Sequence, residues 1–165
     1  MKELVKLALI LMIACPLAGT IVSSCAGESD CSTAGRAMLW SSVYRLDGAA
    51  AVNDTLDSLT VTALHTDIVL LNKMKDVTRF GLPLKYTNDT TRWVFDYGEQ
   101  IRDTIVIWYT NTPEFVSMDC GYEMKQVVLG LSYSTRNNRL DSIRVTNTST
   151  NTDETKNLEL YFRYH

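Results

Sequence analysis

Residues 92–110 read RWVFDYGEQIRDTIVIWYT, and this stretch decides the fold class. Trp93, Phe95 and Tyr97 alternate with Arg92, Val94 and Asp96. After a short connection, Ile105, Ile107 and Tyr109 alternate with Val106 and Trp108. Side chains two apart on an extended strand share a face, so each half has one large apolar face and one mixed face. Gly98 closes the first half and Glu99–Arg102 leads into the second. That is the outline of a hairpin whose aromatic face turns inward.

Working outward, the same period recurs. Leu59, Val61 and Ala63 alternate with Thr60 and Thr62, the signature of a half-buried strand. His65-Thr66-Asp67 turns the chain into Ile68–Leu71, which is apolar on both faces and is expected at a sheet centre. Phe80-Gly81-Leu82-Pro83-Leu84 alternates too, but Pro83 places it at an edge. Toward the N-terminus, Met38–Leu46 forms a first strand with Met38, Trp40, Tyr44 and Leu46 in one register, followed by a small-residue loop from Asp47-Gly48 through Asn53. Asn88-Asp89 marks a turn, and Pro113 is expected to break the chain before Cys120-Gly121.

Tyr122–Tyr133 is the longest strand candidate, and its apolar parity switches from Tyr122 and Met124 to Val127, Leu129, Leu131 and Tyr133. A one-residue slip flips every side chain, so a β-bulge is predicted near Lys125–Val127. Asn137-Asn138 turns the chain, Ile143 and Val145 form a short strand, and Thr146–Lys156 is a polar loop. Leu158, Leu160, Phe162 and Tyr164 make the last strand. Eight or nine short strands at regular spacing predict an antiparallel β-sandwich over residues 37–165, with an immunoglobulin-like connection as one candidate topology. The Trp93/Phe95 and Ile105/Ile107 faces are expected between the two sheets.

The first 31 residues, MKELVKLALILMIACPLAGTIVSSCAGESDC, carry a different message. Lys2 and Lys6 precede an unbroken apolar run, Leu7–Ile13, and small residues follow at Ser23, Ser24 and Cys25. This is the order of a secretory signal, a signal-peptide helix over residues 1–24. The run is too short for a membrane span, which takes about 20 apolar residues. Val22-Ser23-Ser24-Cys25 resembles a bacterial lipobox, in which the Cys thiol is acylated and becomes the first mature residue. Cys25 is therefore the expected lipidation site, residues 25–36 the tether, and the cell envelope, at the outer membrane, the expected location. Cys15 is a rival with a poorer box.

If Cys15 leaves with the signal and Cys25 is acylated, Cys31 and Cys120 remain and are expected to pair in an oxidising envelope. A metal-binding or nucleophilic thiol is the competing reading, but there is no CxxC and no Cys/His cluster to support it. Removing residues 1–24 leaves 141 residues, the size of one domain. The whole chain has a net charge of −3, and losing Lys2, Glu3 and Lys6 takes it to −4. A mildly acidic chain without a Lys/Arg cluster argues against a nucleic-acid partner.

No catalytic residue, metal ligand or cofactor site is assigned. The two histidines are His65, in a turn, and His165, at the C-terminus, and no nucleophile elbow accompanies them. Asn53, Asp54 and Asp57 lack calcium-loop spacing. Trp40, Trp93 and Trp108 could form a carbohydrate platform, but all three sit in strand patterns that favour the core. The triplet of Asp, then Ser or Thr, then an apolar residue or Thr recurs five times, making Thr55, Ser58, Thr90, Thr104 and Ser142 candidate O-glycosylation sites. It resembles the acceptor pattern of Bacteroidota envelope proteins. Turn chemistry accounts for the same triplet: Asp ends a loop and a hydroxyl residue opens a strand.

Five segments carry a wider resemblance: Asp30-Cys31-Ser32-Thr33; Asp57 to Leu64; Phe80-Gly-Leu-Pro-Leu84; Asp103 to Ile107; and Pro113 to Tyr122. Together they resemble an uncharacterised family of small Bacteroidota lipoproteins, a domain of unknown function. The resemblance implies envelope residence, a β-rich domain and a paired cysteine. It brings no activity to carry over. The expected function is a non-enzymatic binding or accessory module whose partners are the membrane, through the lipid, and an envelope protein or glycan. An envelope hydrolase and a structural subunit of an outer-membrane assembly are the alternatives.

Overall fold

The computed structural model describes residues 35–48, 50–66, 68–98, 101–118, 120–134 and 139–163. The chain divides into two units, 1–33 and 34–165, and every described residue belongs to the second. The signal-peptide helix, Cys25, Cys31 and the Asn137-Asn138 turn lie outside the described residues.

The described residues form ten strands: β1 (Leu39–Asp47), β2 (Ala50–Asn53), β3 (Leu56–Ala63), β4 (Val69–Val77), β5 (Arg79–Leu82), β6 (Thr90–Asp96), β7 (Arg102–Ser117), β8 (Gly121–Tyr133), β9 (Leu140–Val145) and β10 (Leu158–Phe162). They make two five-stranded sheets. One has the order β2-β1-β10-β9, with β5 also pairing β1; the other has the order β4-β3-β6-β7-β8. The fold is an all-β sandwich, as the alternation predicts.

The second sheet is antiparallel throughout. The first contains one parallel pair, β1 against β10, in register from Ser41↔Leu158 to Arg45↔Phe162. On the other side of β1, β5 takes Leu39–Ser42 and β2 takes Tyr44–Asp47. First and last strands are thus neighbours at the centre of one sheet, which differs from the immunoglobulin arrangement of ABED facing CFG.

The core lies between the sheets. Leu39, Val43, Phe80, Leu82, Leu158, Leu160 and Phe162 meet Leu59, Val61, Trp93, Phe95, Ile105, Ile107 and Tyr109. Two edge-to-face contacts cross the gap, Phe80 on Phe95 at 5.8 Å and Tyr97 on Phe162 at 5.6 Å. Such pairs contribute about 0.5–1.5 kcal/mol beyond their buried area.

Several expectations are corrected. Ile68–Leu71 is not central: β4 is the edge of the second sheet, where Leu70 and Leu71 touch the core while Ile68 and Val69 are exposed. Lys73 and Asp76 have positive φ beside the irregular pairing with β3, and with Lys75 they blunt the edge against other chains. The small-residue loop is the hairpin strand β2, wholly exposed. In β1 the inward residues are Leu39, Ser41 and Val43, so the Trp40 and Tyr44 register faces outward. The predicted bulge exists, but Trp108↔Gly130 is followed by Tyr109↔Val128, which makes Leu129 the extra residue.

Gly81 pairs with Trp40 across β5 and β1. A Cβ there would lie 3.1 Å from the Trp40 ring and 3.2 Å from the Met38 sulfur. G81A is expected to destabilise the domain by about 1–2 kcal/mol through this overpacking. Urea unfolding would measure it, and a cost near zero would mean that the indole swings away freely.

The polar loop 146–156 is fastened by Asn157, which is fully buried. Its Nδ2 donates to the carbonyls of Asn147 (3.0 Å) and Ser149 (2.6 Å), and its Oδ1 accepts from Trp40 N (2.9 Å) and Asn151 Nδ2 (3.1 Å). One side chain thus replaces the ladder bonds that an irregular segment cannot make.

Candidate functional site

His65 sits in the β3–β4 turn at φ 63°. It borders a cavity of about 260 Å³ on the outer face of the second sheet, together with Thr60, Thr62, Val94, Asp96 and Arg102. Asp96 is committed there: Gly98 N donates to it at 2.9 Å and Arg102 Nε at 2.7 Å. These donors, the Gly98 amide foremost, hold its carboxyl below the ordinary value. Asp67, two residues from His65 in the sequence, lies outside the described residues. The arrangement supplies an ion pair and a hydroxyl-lined hollow. Among the described residues, no three His, Cys, Asp or Glu side chains converge as metal ligands.

The outer face of the first sheet carries a denser cluster. Lys156 Nζ donates to Glu159 Oε1 (2.5 Å) and Tyr44 Oη (2.8 Å), and Tyr161 Oη donates to Glu159 Oε2 (2.8 Å). Arg144 Nη1 approaches the same carboxylate at 3.7 Å, and the Arg79 guanidinium lies over the Trp40 ring at 5.2 Å. The hydrogen bond from Lys156 is the main cause that lowers the Glu159 carboxyl below its ordinary 4.5, and its partner Lys156 is raised above 10.5.

The signs follow from linkage. The carboxylate's contribution is complete above 4.5 and is lost as pH falls through the lower folded value. The ammonium's is complete below 10.5 and is lost as pH rises through the higher folded value. The thermal midpoint of the protein is therefore expected to fall with pH below about 4.5, and E159Q is expected to flatten part of that acid limb. Identical acid limbs in the two proteins would remove the pair from the account.

The most distinctive feature is the end of the β7–β8 hairpin. β6 pairs β7 only as far as Thr90↔Trp108, but β7 and β8 continue together to Ser117↔Gly121. Beyond Thr110 the two strands form an arm. Pro113 does not break it and pairs with Met124. β7 has no neighbour on its other side there, so a missing N–H on the open edge costs no ladder bond.

Asn111, Pro113 and Phe115 on β7, with Gln126, Met124 and Tyr122 on β8, continue the inward register of Tyr109 and Val128. At the base this face is buried and polar: Gln126 Nε2 donates to Lys85 O (3.2 Å) and Asn111 Oδ1 (2.7 Å). At the end it is apolar and uncovered, with Phe115 51%, Tyr122 72% and Met118 90% exposed. The Phe115 and Tyr122 rings meet edge to face at 5.5 Å. On the opposite face, Lys125 pairs with Glu114 at 3.2 Å.

A cavity of about 380 Å³ lies against the arm, bordered by Phe115, Val116, Met124, Thr150, Asn151 and Ala37. The arm's turn contains Cys120, whose N donates to Ser117 Oγ at 3.0 Å. Cys120 is disulfide-bonded; its expected partner, Cys31, lies outside the described residues.

The three tryptophans do not assemble. Trp93 is in the core, Trp40 is half-buried on the first sheet's outer face, and Trp108, on the second sheet, is 43% exposed. Thr55, Ser58, Thr90, Thr104 and Ser142 are all half-buried and dispersed over β3, β6, β7, β9 and the approach to β3. The aspartates of two of these triplets serve the fold: Asp89 accepts from Thr90 Oγ1 at 3.1 Å, and Asp103 accepts from Leu140 N at the start of β9. Sequence reading missed the arm because Pro113 hid it; the unpaired apolar run Phe115, Val116, Met118 was the available signal.

These features define a class, an all-β sandwich domain with a projecting two-stranded arm. The chain belongs to a family of unknown function (DUF6452), whose model matches residues 58–162, from β3 to the end of β10. No curated protein and no solved structure matches it.

Proposed function

We propose that the protein is a lipid-anchored, non-enzymatic binding or accessory module of a bacterial cell envelope, attached through Cys25 and acting through the β7–β8 arm. One observation carries the reading: Phe115, Val116, Met118 and Tyr122 are exposed together at the end of a ribbon that the core does not require. A contiguous apolar patch on an exposed element costs solubility, and its usual meaning is an interaction surface. The bridge that completes the attachment is Cys31–Cys120, supported by the disulfide-bonded state of Cys120. The component met by the arm is an envelope constituent within reach of a tethered domain.

The test is a photo-crosslinking residue at Phe115 in the tagged, full-length protein, activated in intact envelopes. A specific adduct that disappears in the combined variant V116S/M118S/Y122S is expected. Intact mass of the same preparation reports acyl chains on Cys25, the disulfide and any O-glycan together. An uncrosslinked protein that hydrolyses envelope substrates would reverse the proposal in favour of an enzyme.

A further inference from the structure

We infer that the tip of the β7–β8 arm is a second membrane contact, seated in the headgroup region of the leaflet that holds the acyl chains of Cys25. The inference rests on the reading of Cys25 as lipidated, and it names what the arm meets.

The first argument is reach. The described domain begins at Gly35, and Ala37 borders the same cavity as Phe115 and Val116. The chain therefore leaves the folded body beside the arm. Ten Cα–Cα steps separate Cys25 from Gly35. Fully stretched they span at most about 36 Å, and as a flexible coil about 17 Å. An anchor on so short a leash keeps this end of the domain at the bilayer. A Cys31–Cys120 bridge would shorten the path to six steps and attach it to the arm's own turn.

The second argument is chemistry. Phe115, Val116 and Met118 offer apolar surface, and Tyr122 adds a ring with a hydroxyl at one end, the kind of side chain that settles at a membrane–water boundary. Glu114 pairs with Lys125 at 3.2 Å, and Glu123 lies opposite Glu114 one step behind the Phe115–Tyr122 pair, so the charged part of the arm stays in water and only the tip beyond it enters the headgroup region. Acyl chains already supply the affinity, so the arm adds orientation: two contacts hold the domain in one attitude where a single tether lets it tumble.

The experiment uses the full-length lipidated protein in vesicles of phosphatidylethanolamine and phosphatidylglycerol containing a brominated phosphatidylcholine. M118W and Y122W each add an indole at the tip. L129W adds one at the exposed bulge of β8, about 23 Å along the strand from Tyr122. Bromolipid is expected to quench about half of the added emission in M118W and Y122W and none of it in L129W. Quenching equal to that of the parent in both tip variants overturns the inference. So does a blue-shifted but unquenched tip emission, which would place a second copy of the chain on the patch. An acylated mass with an unquenched tip sinks this inference alone. A mass without acyl groups sinks the lipid-anchor reading and this one with it.

Discussion

Replacing Asn157 by alanine is expected to cost the domain about 3–4 kcal/mol, because three part-buried backbone groups lose their partners at once and a cavity opens at a fully buried side chain. Trp40 N–H would lose its acceptor, and the carbonyls of Asn147 and Ser149 would lose a donor. Asn151 Nδ2 would keep the carbonyl of Thr155 at 2.8 Å, so its share is smaller. For a domain of this size the loss corresponds to a fall in thermal midpoint of about 10 °C. N157D is the sharper variant. It preserves shape, but a carboxylate replaces the amide that donates to two carbonyls, so it is expected to be as damaging as N157A at neutral pH. A loss below 1 kcal/mol for both would mean that the 146–156 loop is held by its own turns.

Asp103 is the second position of large effect. Its carboxylate is fully buried and fastens Ser134, Arg139 and Leu140 to β7. Oδ2 accepts from Leu140 N (2.9 Å) and Arg139 N (3.2 Å), and Oδ1 from Ser134 Oγ (2.9 Å). D103A is expected to cost about 3 kcal/mol by leaving these donors without that acceptor. D103N should cost only about 1 kcal/mol, since the amide oxygen can serve both N–H groups while its NH₂ turns to the Ser134 hydroxyl. Chemical unfolding of the two variants measures the difference. D103N also removes the acid of the Asp103-Thr104-Ile105 triplet. Loss of a glycan mass in a folded D103N protein would therefore separate modification at Thr104 from the structural role of Asp103.

Most of the sandwich was legible because period-2 alternation is set by one buried face, and β3, β6, the first half of β7 and β10 each present one. The errors fall where a second physical factor intervenes. Ile68–Leu71 is apolar on both sides, yet β4 is an edge, because an apolar run reports hydrophobicity and not the number of neighbouring strands. Pro113 looked like a break because local sequence does not reveal that β6 ends at the level of Trp108 and frees one side of β7. Met38, Trp40, Tyr44 and Leu46 share one register, as read, but which face that register takes is decided by the pairing of β1 with β5 and β10, which buries Leu39 and Val43. Of the candidate site, only the composition of the arm's tip was readable. Its projection depends on strand lengths that differ across a sheet, which no single stretch encodes.

The parallel seam between β1 and β10 has a consequence for how the chain is made. Trp40 and Asn157, whose bonds lie at the start of that seam, are 117 residues apart. The first sheet cannot close around its central pair until the final strand has emerged. Long-range closure of this kind is slow, since the entropy of the intervening loop opposes it before any contact rewards it. A nascent chain lacking residues 158–162 lacks the strand that completes the centre of its first sheet, so it stays open until synthesis is nearly finished.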